Sequence, residues 1–158
     1  MPYARSDEVR DGVVVGDEES YELPVVDMAR LLDPEFSEAE IAKLGSACRD
    51  WGFFQVRKNG RWYPLNPLPG AFVINVGDIL QILSNGTYKS AEHRVLPDVK
   101  KGRATVVMFQ NACVAGMVKP LQELGEATYK AIDHVEYVKG NLRALAEGTR
   151  FVDSLKIT

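Results

Sequence analysis

The sequence predicts an α+β fold in which short strands are bracketed by helices. Three observations lead there. Residues 71–76 and 103–110 are rich in β-branched, aromatic and apolar side chains, residues 88–96 resume as a strand between them, and turn-forming residues separate the three. Two apolar stripes at helical spacing, one before these runs and one after them, each begin at a capping pattern. Glycines stand where both stripes must end.

Residues 1–22 carry Asp, Glu, Ser and Gly, apart from Val13 to Val15, and are expected to form a mobile extension. Ser37 and Glu40 make a capping box. Ile41, Leu44, Cys48 and Trp51 then form one apolar stripe, most simply core packing, and Gly52 ends the helix before a strand at Phe53, Phe54 and Val56. AFVINV at 71–76 reads as a strand that Gly77-Asp78 breaks. Asp78 is expected to cap a short helix through Ile79, Leu80, Ile82 and Leu83, with Gly86 suited to the left-handed position after it. Residues 88–96 and 103–110 are read as strands, paired as a hairpin across the Pro, Asp, Lys and Gly of 97–102. Asp133 and Glu136 repeat the cap pattern. Ile132, Val135, Val138, Leu142 and Leu145 follow as a stripe, and Gly148 stops the helix.

Side chains alternate along a strand, so Arg103 and Thr105 share a face, while Glu92 and Arg94 point away from His93. A guanidinium grips a carboxylate through two hydrogen bonds, and a hydroxyl two residues on adds a third. With His93 facing the same cavity, the set suits a metal that binds a dicarboxylate. The residues permit that chemistry without proving it, and on spacing alone a surface strand with a solvated His and a solvated Arg is the simpler reading.

The segment WYPLNPLPGAFVINVGDILQILSNGTYKSAEHRV resembles the plant-type soluble 2-oxoglutarate/Fe(II)-dependent dioxygenases, the family related to isopenicillin N synthase. The resemblance implies a partial double-stranded β-helix (jelly-roll, cupin-like) with flanking helices. It implies Fe(II) as cofactor and 2-oxoglutarate as cosubstrate. His93 falls on the distal histidine of the 2-His-1-carboxylate triad. Arg103-Ala104-Thr105 falls on the Arg-x-Ser motif that holds the far carboxylate of 2-oxoglutarate, with Thr keeping the hydroxyl. LPVVDMARLL at 23–32 is similar to the family's first strand and short helix, with Asp27 as its cap. SEAEIAKLGSACRDWGFFQV at 37–56 is similar to its first long helix and following strand, and FVDSLKI to its closing segment.

The family's other two iron ligands come from a His-x-Asp pair. This sequence has two histidines, His93 and His134, and no His-x-Asp. His134, followed by Val135-Glu136, reads as a residue at a helix start rather than a ligand. The join at Gln55-Val56-Arg57 brings together regions that lie far apart in family members, so the middle of the jelly roll is expected to be missing. The organisation expected is therefore an extension (1–22), a strand-helix-strand segment (23–56), the C-terminal half of the jelly roll (57–117) and a C-terminal helix and tail (118–158). By resemblance the lineage is an oxidoreductase acting on a small organic substrate, impaired here by the absent ligand pair. Two alternatives are a non-catalytic half-barrel that pairs with another chain through exposed strand edges, and a small closed cupin-like module.

Composition sets outer bounds. The 158 residues suffice for one ordinary domain, and 46% hydrophobic with 26% charged residues is globular usage. A net charge of −3 gives no electrostatic case for nucleic acid or an anionic membrane, and Lys100, Lys101 and Arg103 read as a solvated turn. Cys48 and Cys113 are too few and too separate for a disulfide framework, so a reducing cytoplasm is the expected setting. Neither a bilayer-spanning apolar run, a secretion signal nor an internal repeat is expected.

Overall fold

The computed structural model describes residues 24–50, 68–93, 105–110 and 115–157, together with the backbone of 57–58 and 61–62. Arg103, Cys113, the extension, the strand after Gly52 and the turn at 97–102 lie outside the described residues. The chain divides into two compact units, one drawn from residues 3–76 and 89–94, the other from 77–88 and 95–158.

In the first unit, α1 (Met28–Leu32) begins at Asp27. The Asp27 carboxylate accepts from the main-chain N–H of Ala29 at 2.9 Å and of Arg30 at 3.4 Å, as the sequence predicts. The second helix, α2 (Ser37–Asp50), follows a tight turn in which Ser37 N donates to Asp33 O. The expected capping box does not form. Ser37 is already the first helical residue, and Glu40 reaches α1 instead, accepting from Asp27 N at 2.8 Å. Arg30 and Lys43 flank the same carboxylate at 3.9 and 3.5 Å, and Glu40 is 6% exposed. Arg30 also stacks over the Phe36 ring at 4.7 Å. The expected stripe is only half buried, since Leu44 and Cys48 are partly covered while Ile41 is exposed and Ala47 takes the buried position. A two-residue hairpin, β1 (Arg57–Lys58) against β2 (Arg61–Trp62), pairs Arg57 with Trp62 and Lys58 with Arg61.

Two strand expectations fail in this unit. Residues 71–77 form no strand, with Phe72 and Ile74 exposed and Val76 buried. Residues 88–92 form none either, and His93 makes an isolated bridge. The reason is physical: β-propensity builds a strand only where a neighbouring strand takes the main-chain hydrogen bonds.

The second unit starts with α3 (Asp78–Leu83). Its N-cap is Gly77, which makes no side-chain cap, so Asp78 does not cap the helix as expected. Its end agrees with the sequence: Asn85 and Gly86 take φ of 50° and 81°, and Gly86 N closes the helix onto Gln81 O at 2.8 Å. β3 (Met117–Val118) pairs antiparallel with β4 (Ile132–Asp133), and a short 3₁₀ helix (Gln122–Leu124) lies between them. Residues 128–130 run against the C-terminal tail through Ile157 N to Thr128 O and Lys130 N to Leu155 O, both 2.8 Å.

Asp133 caps α4 (His134–Ala146), its carboxylate accepting from Val135 N at 2.8 Å and Glu136 N at 3.3 Å. The helix presents a different face from the expected one. Val135, Val138, Leu142 and Leu145 are exposed, while His134, Tyr137 and Ala144 are buried. Gly140 and α5 (Phe151–Ser154) set that rotation, because the Phe151 ring packs where a Cβ at Gly140 would stand. The core of the unit is Ile82, Val118, Tyr129, Tyr137, Val152 and Leu155, with Ile79, Ile132 and Phe151 against it. Residues 105–110, expected as a strand, are exposed and outside regular structure. The α+β class therefore holds in outline. Helices and two small antiparallel ladders are present, and no extended sheet occurs among the described residues. No helix among them is long and apolar enough to cross a membrane.

Candidate functional site

His93 follows α3 in the sequence. The start of the segment between them is built into the second unit. Ser84 Oγ accepts from Tyr88 N at 3.1 Å and donates to Gln81 O at 3.2 Å, and Gln81 Nε2 donates to the Tyr129 phenol oxygen at 2.9 Å. Asn85 fastens the next position. Its Nδ2 donates to Glu126 O at 2.7 Å, and its Oδ1 accepts from Thr128 N at 2.8 Å and Thr128 Oγ1 at 2.7 Å.

His93 itself is exposed, with Nδ1 3.0 Å from Ala91 O. A carbonyl at that distance favours the tautomer protonated on Nδ1, which leaves Nε2 with the lone pair. Metal-binding imidazoles are oriented in this way. His93 belongs to the first unit and Thr105, also exposed, to the second. Arg103 lies outside the described residues.

Among the described residues no group of three or more His, Cys, Asp or Glu could hold a metal ion. The sequence adds only one other histidine, His134, at the start of α4 as expected. It is 5% exposed, and neither ring nitrogen finds a hydrogen-bond partner among the described residues. One imidazole supplies one of the three protein ligands that a facial triad requires.

Charge at the unit cores is structural. Asp78 accepts from the Tyr137 phenol at 3.2 Å and pairs with Arg150 at 3.3 Å. Burial first, then the Asp78 carboxylate, push the Tyr137 phenol up. Burial raises the Cys48 thiol, which makes it a poor nucleophile. The Asp27 N–H, outweighing burial, holds Glu40 below the usual carboxylate range. Sequence reading missed the Asn85–Thr128 and Asp78–Tyr137 contacts because their partners lie 43 and 59 residues apart. The local signals were present, Asn-Gly after a helix and an Asp at a helix start, but they do not name a distant partner.

The sequence is similar to those of known proteins. The sequence model of the 2OG-Fe(II) oxygenase superfamily matches residues 35–112, a span that includes His93, Arg103 and Thr105. A feruloyl CoA ortho-hydroxylase of Ipomoea batatas is 44% identical over 112 residues, covering 67% of this chain and 31% of that protein. An oxoglutarate-dependent flavonoid 7-O-demethylase of Ocimum basilicum is 40% identical over 107 residues, covering 65% and 29%. Codeine O-demethylase of Papaver somniferum is 35% identical over 107 residues, covering 65% and 30%. The chain thus spans about 30% of the length of these relatives.

Proposed function

We propose, from the premise that this chain belongs to the 2OG-Fe(II) oxygenase superfamily, that its function is that of an impaired oxidoreductase of this lineage. The family uses Fe(II) and 2-oxoglutarate. In that reading His93 is the one retained iron ligand, and Arg103 with Thr105 is the anchor for the far carboxylate of 2-oxoglutarate. The lineage substrate is a small organic molecule, a specialised metabolite or hormone-like compound, in keeping with the demethylase and hydroxylase names of the relatives. The observation that carries the impairment is the sequence itself, which holds His93 and no His-x-Asp. We place the chain in a reducing cytoplasm on its two separate cysteines.

Iron would supply the oxidation chemistry in an intact site. With no His-x-Asp in the sequence to complete one, the contribution of this chain in this reading is confined to binding a 2-oxo dicarboxylate. Calorimetric titration with 2-oxoglutarate tests that contribution. Weak binding abolished by Arg103→Leu supports the anchor, and binding unaffected by that substitution removes it.

A second reading, a non-catalytic half-barrel that engages another chain, is favoured by one observation. Val106, Met108 and Phe109 are at least 77% exposed, an apolar run of the kind a partner strand covers. Under this reading the purified chain sediments as a dimer or larger species. A clean monomer removes it.

A further inference from the structure

We propose that Asn85-Gly86 is a deamidation site guarded by the fold, and that its conversion unlatches the segment around Thr128. This inference stands apart from the catalytic reading. It starts from an Asn followed by Gly, where no side chain on the second residue obstructs attack by its own main-chain nitrogen. In that reaction the Gly86 nitrogen, having lost its proton, attacks Asn85 Cγ. A C–N bond forms, the Cγ–Nδ2 bond breaks, and ammonia leaves with the proton. The resulting succinimide then adds water at either carbonyl. Opening one way gives aspartate, and opening the other way gives isoaspartate. Overall, one water is consumed and one ammonia released, with no oxidation or reduction.

The folded chain opposes each part of this. The Gly86 N–H is committed to Gln81 O at 2.8 Å, so the nucleophile cannot form without breaking the helix closure. The electrophilic amide is held at both ends, Nδ2 by Glu126 O and Oδ1 by the Thr128 N–H and hydroxyl. Asn85 is also fixed in the left-handed region at φ 50°. Reaction therefore requires local opening of residues 84–88 away from 126–128.

Conversion would not be silent. In an aspartate, an oxygen replaces Nδ2 and faces the Glu126 carbonyl, so a donor-acceptor contact of 2.7 Å becomes a repulsion. Isoaspartate inserts a methylene into the main chain and also displaces the Gly86 N–H from Gln81 O. Either product releases the loop that leads from α3 towards His93. The device is a slow, irreversible record of how often this corner opens.

The test follows the full chain at neutral pH with and without urea. Deamidation at each Asn-Gly is read from peptide mass and from labelling by an isoaspartate methyltransferase. The chain's other Asn-Gly, Asn59-Gly60, serves as an internal reference. We expect Asn85 to convert at least about tenfold more slowly in native buffer than in urea, because reaction passes through the opened form. Thr128→Val should raise the native rate and leave the rate in urea unchanged, and Asn85→Asp should lower the melting temperature. The same Asn85 rate in both buffers overturns the proposal, as does an Asn85→Asp variant that melts with the parent.

Discussion

The phenol of Tyr137 donates to Asp78 Oδ2 at 3.2 Å, joining the first turn of α4 to the first turn of α3 across 59 residues of chain. Arg150 meets the other carboxylate oxygen at 3.3 Å, so a single acidic side chain ties α3, α4 and the start of α5. Tyr137 also tilts against Phe151 with ring centroids 5.8 Å apart. Removing the hydroxyl alone, in Tyr137→Phe, should cost about 1 kcal/mol, the usual net worth of one such bond. Asp78→Ala should cost more, because it removes the contacts to the phenol and to the guanidinium together. Urea unfolding followed by circular dichroism reads both, and equal stability of all three proteins would show that the tie contributes nothing.

Acid should loosen the junction of α1 and α2. Glu40 sits below its ordinary range in the folded chain, chiefly through the Asp27 N–H. The folded state therefore binds fewer protons than the unfolded chain in that window. Its stabilisation is complete above the ordinary carboxylate value and is lost as pH falls through the lowered one. The amide proton of Asp27 should shift with the Glu40 titration, and Glu40→Gln should abolish the shift. An Asp27 amide that does not move at low pH would refute the contact.

Gly140→Ala improves helix propensity and should nevertheless destabilise the second unit. The new methyl would stand inside the contact distance of the Phe151 ring. Overpacking of this kind costs about 1–3 kcal/mol, which exceeds the roughly 1 kcal/mol that alanine gains over glycine in a helix. The double variant Gly140→Ala with Phe151→Leu should recover part of the loss. A melting temperature raised by Gly140→Ala alone would contradict the packing.

Buried His134 is a polar side chain without a matching partner among the described residues. Its main-chain N–H, bonded to Gly116 O at 3.0 Å, is independent of the side chain. Replacement by an apolar residue of similar size removes the desolvation penalty and no hydrogen bond. His134→Leu is expected to be neutral or stabilising by about 1 kcal/mol. Denaturant midpoints decide, and a large loss would mean that the imidazole has a partner after all.

How much of this was legible in the sequence depends on how local each signal is. Asp27 and Asp133 were readable because a cap needs only the next three residues, and the end of α3 at Asn85-Gly86 was readable for the same reason. Glu40 was misread as half of a capping box because its true partner, Asp27 N, lies across a turn. The buried face of α4 was misplaced because Val135, Val138, Leu142 and Leu145 make a good stripe on their own. Phe151, which determines the rotation, sits beyond the helix end. Residues 71–76, 88–96 and 103–110 read as strands from local pattern, yet a strand exists only with a neighbour. The family was visible from motif order. The spatial relation of His93 to Arg103 and Thr105 belongs to tertiary structure, which no motif supplies.

In the proposed function, His93 is the one iron ligand of the lineage that this chain keeps, and the other two are absent. The most direct measurement is succinate release from 2-oxoglutarate under Fe(II), ascorbate and oxygen, comparing the chain with its His93→Ala variant. The account predicts no succinate above that of His93→Ala. Sustained succinate formation that His93→Ala abolishes would contradict it, because the chain would then be assembling a working iron site.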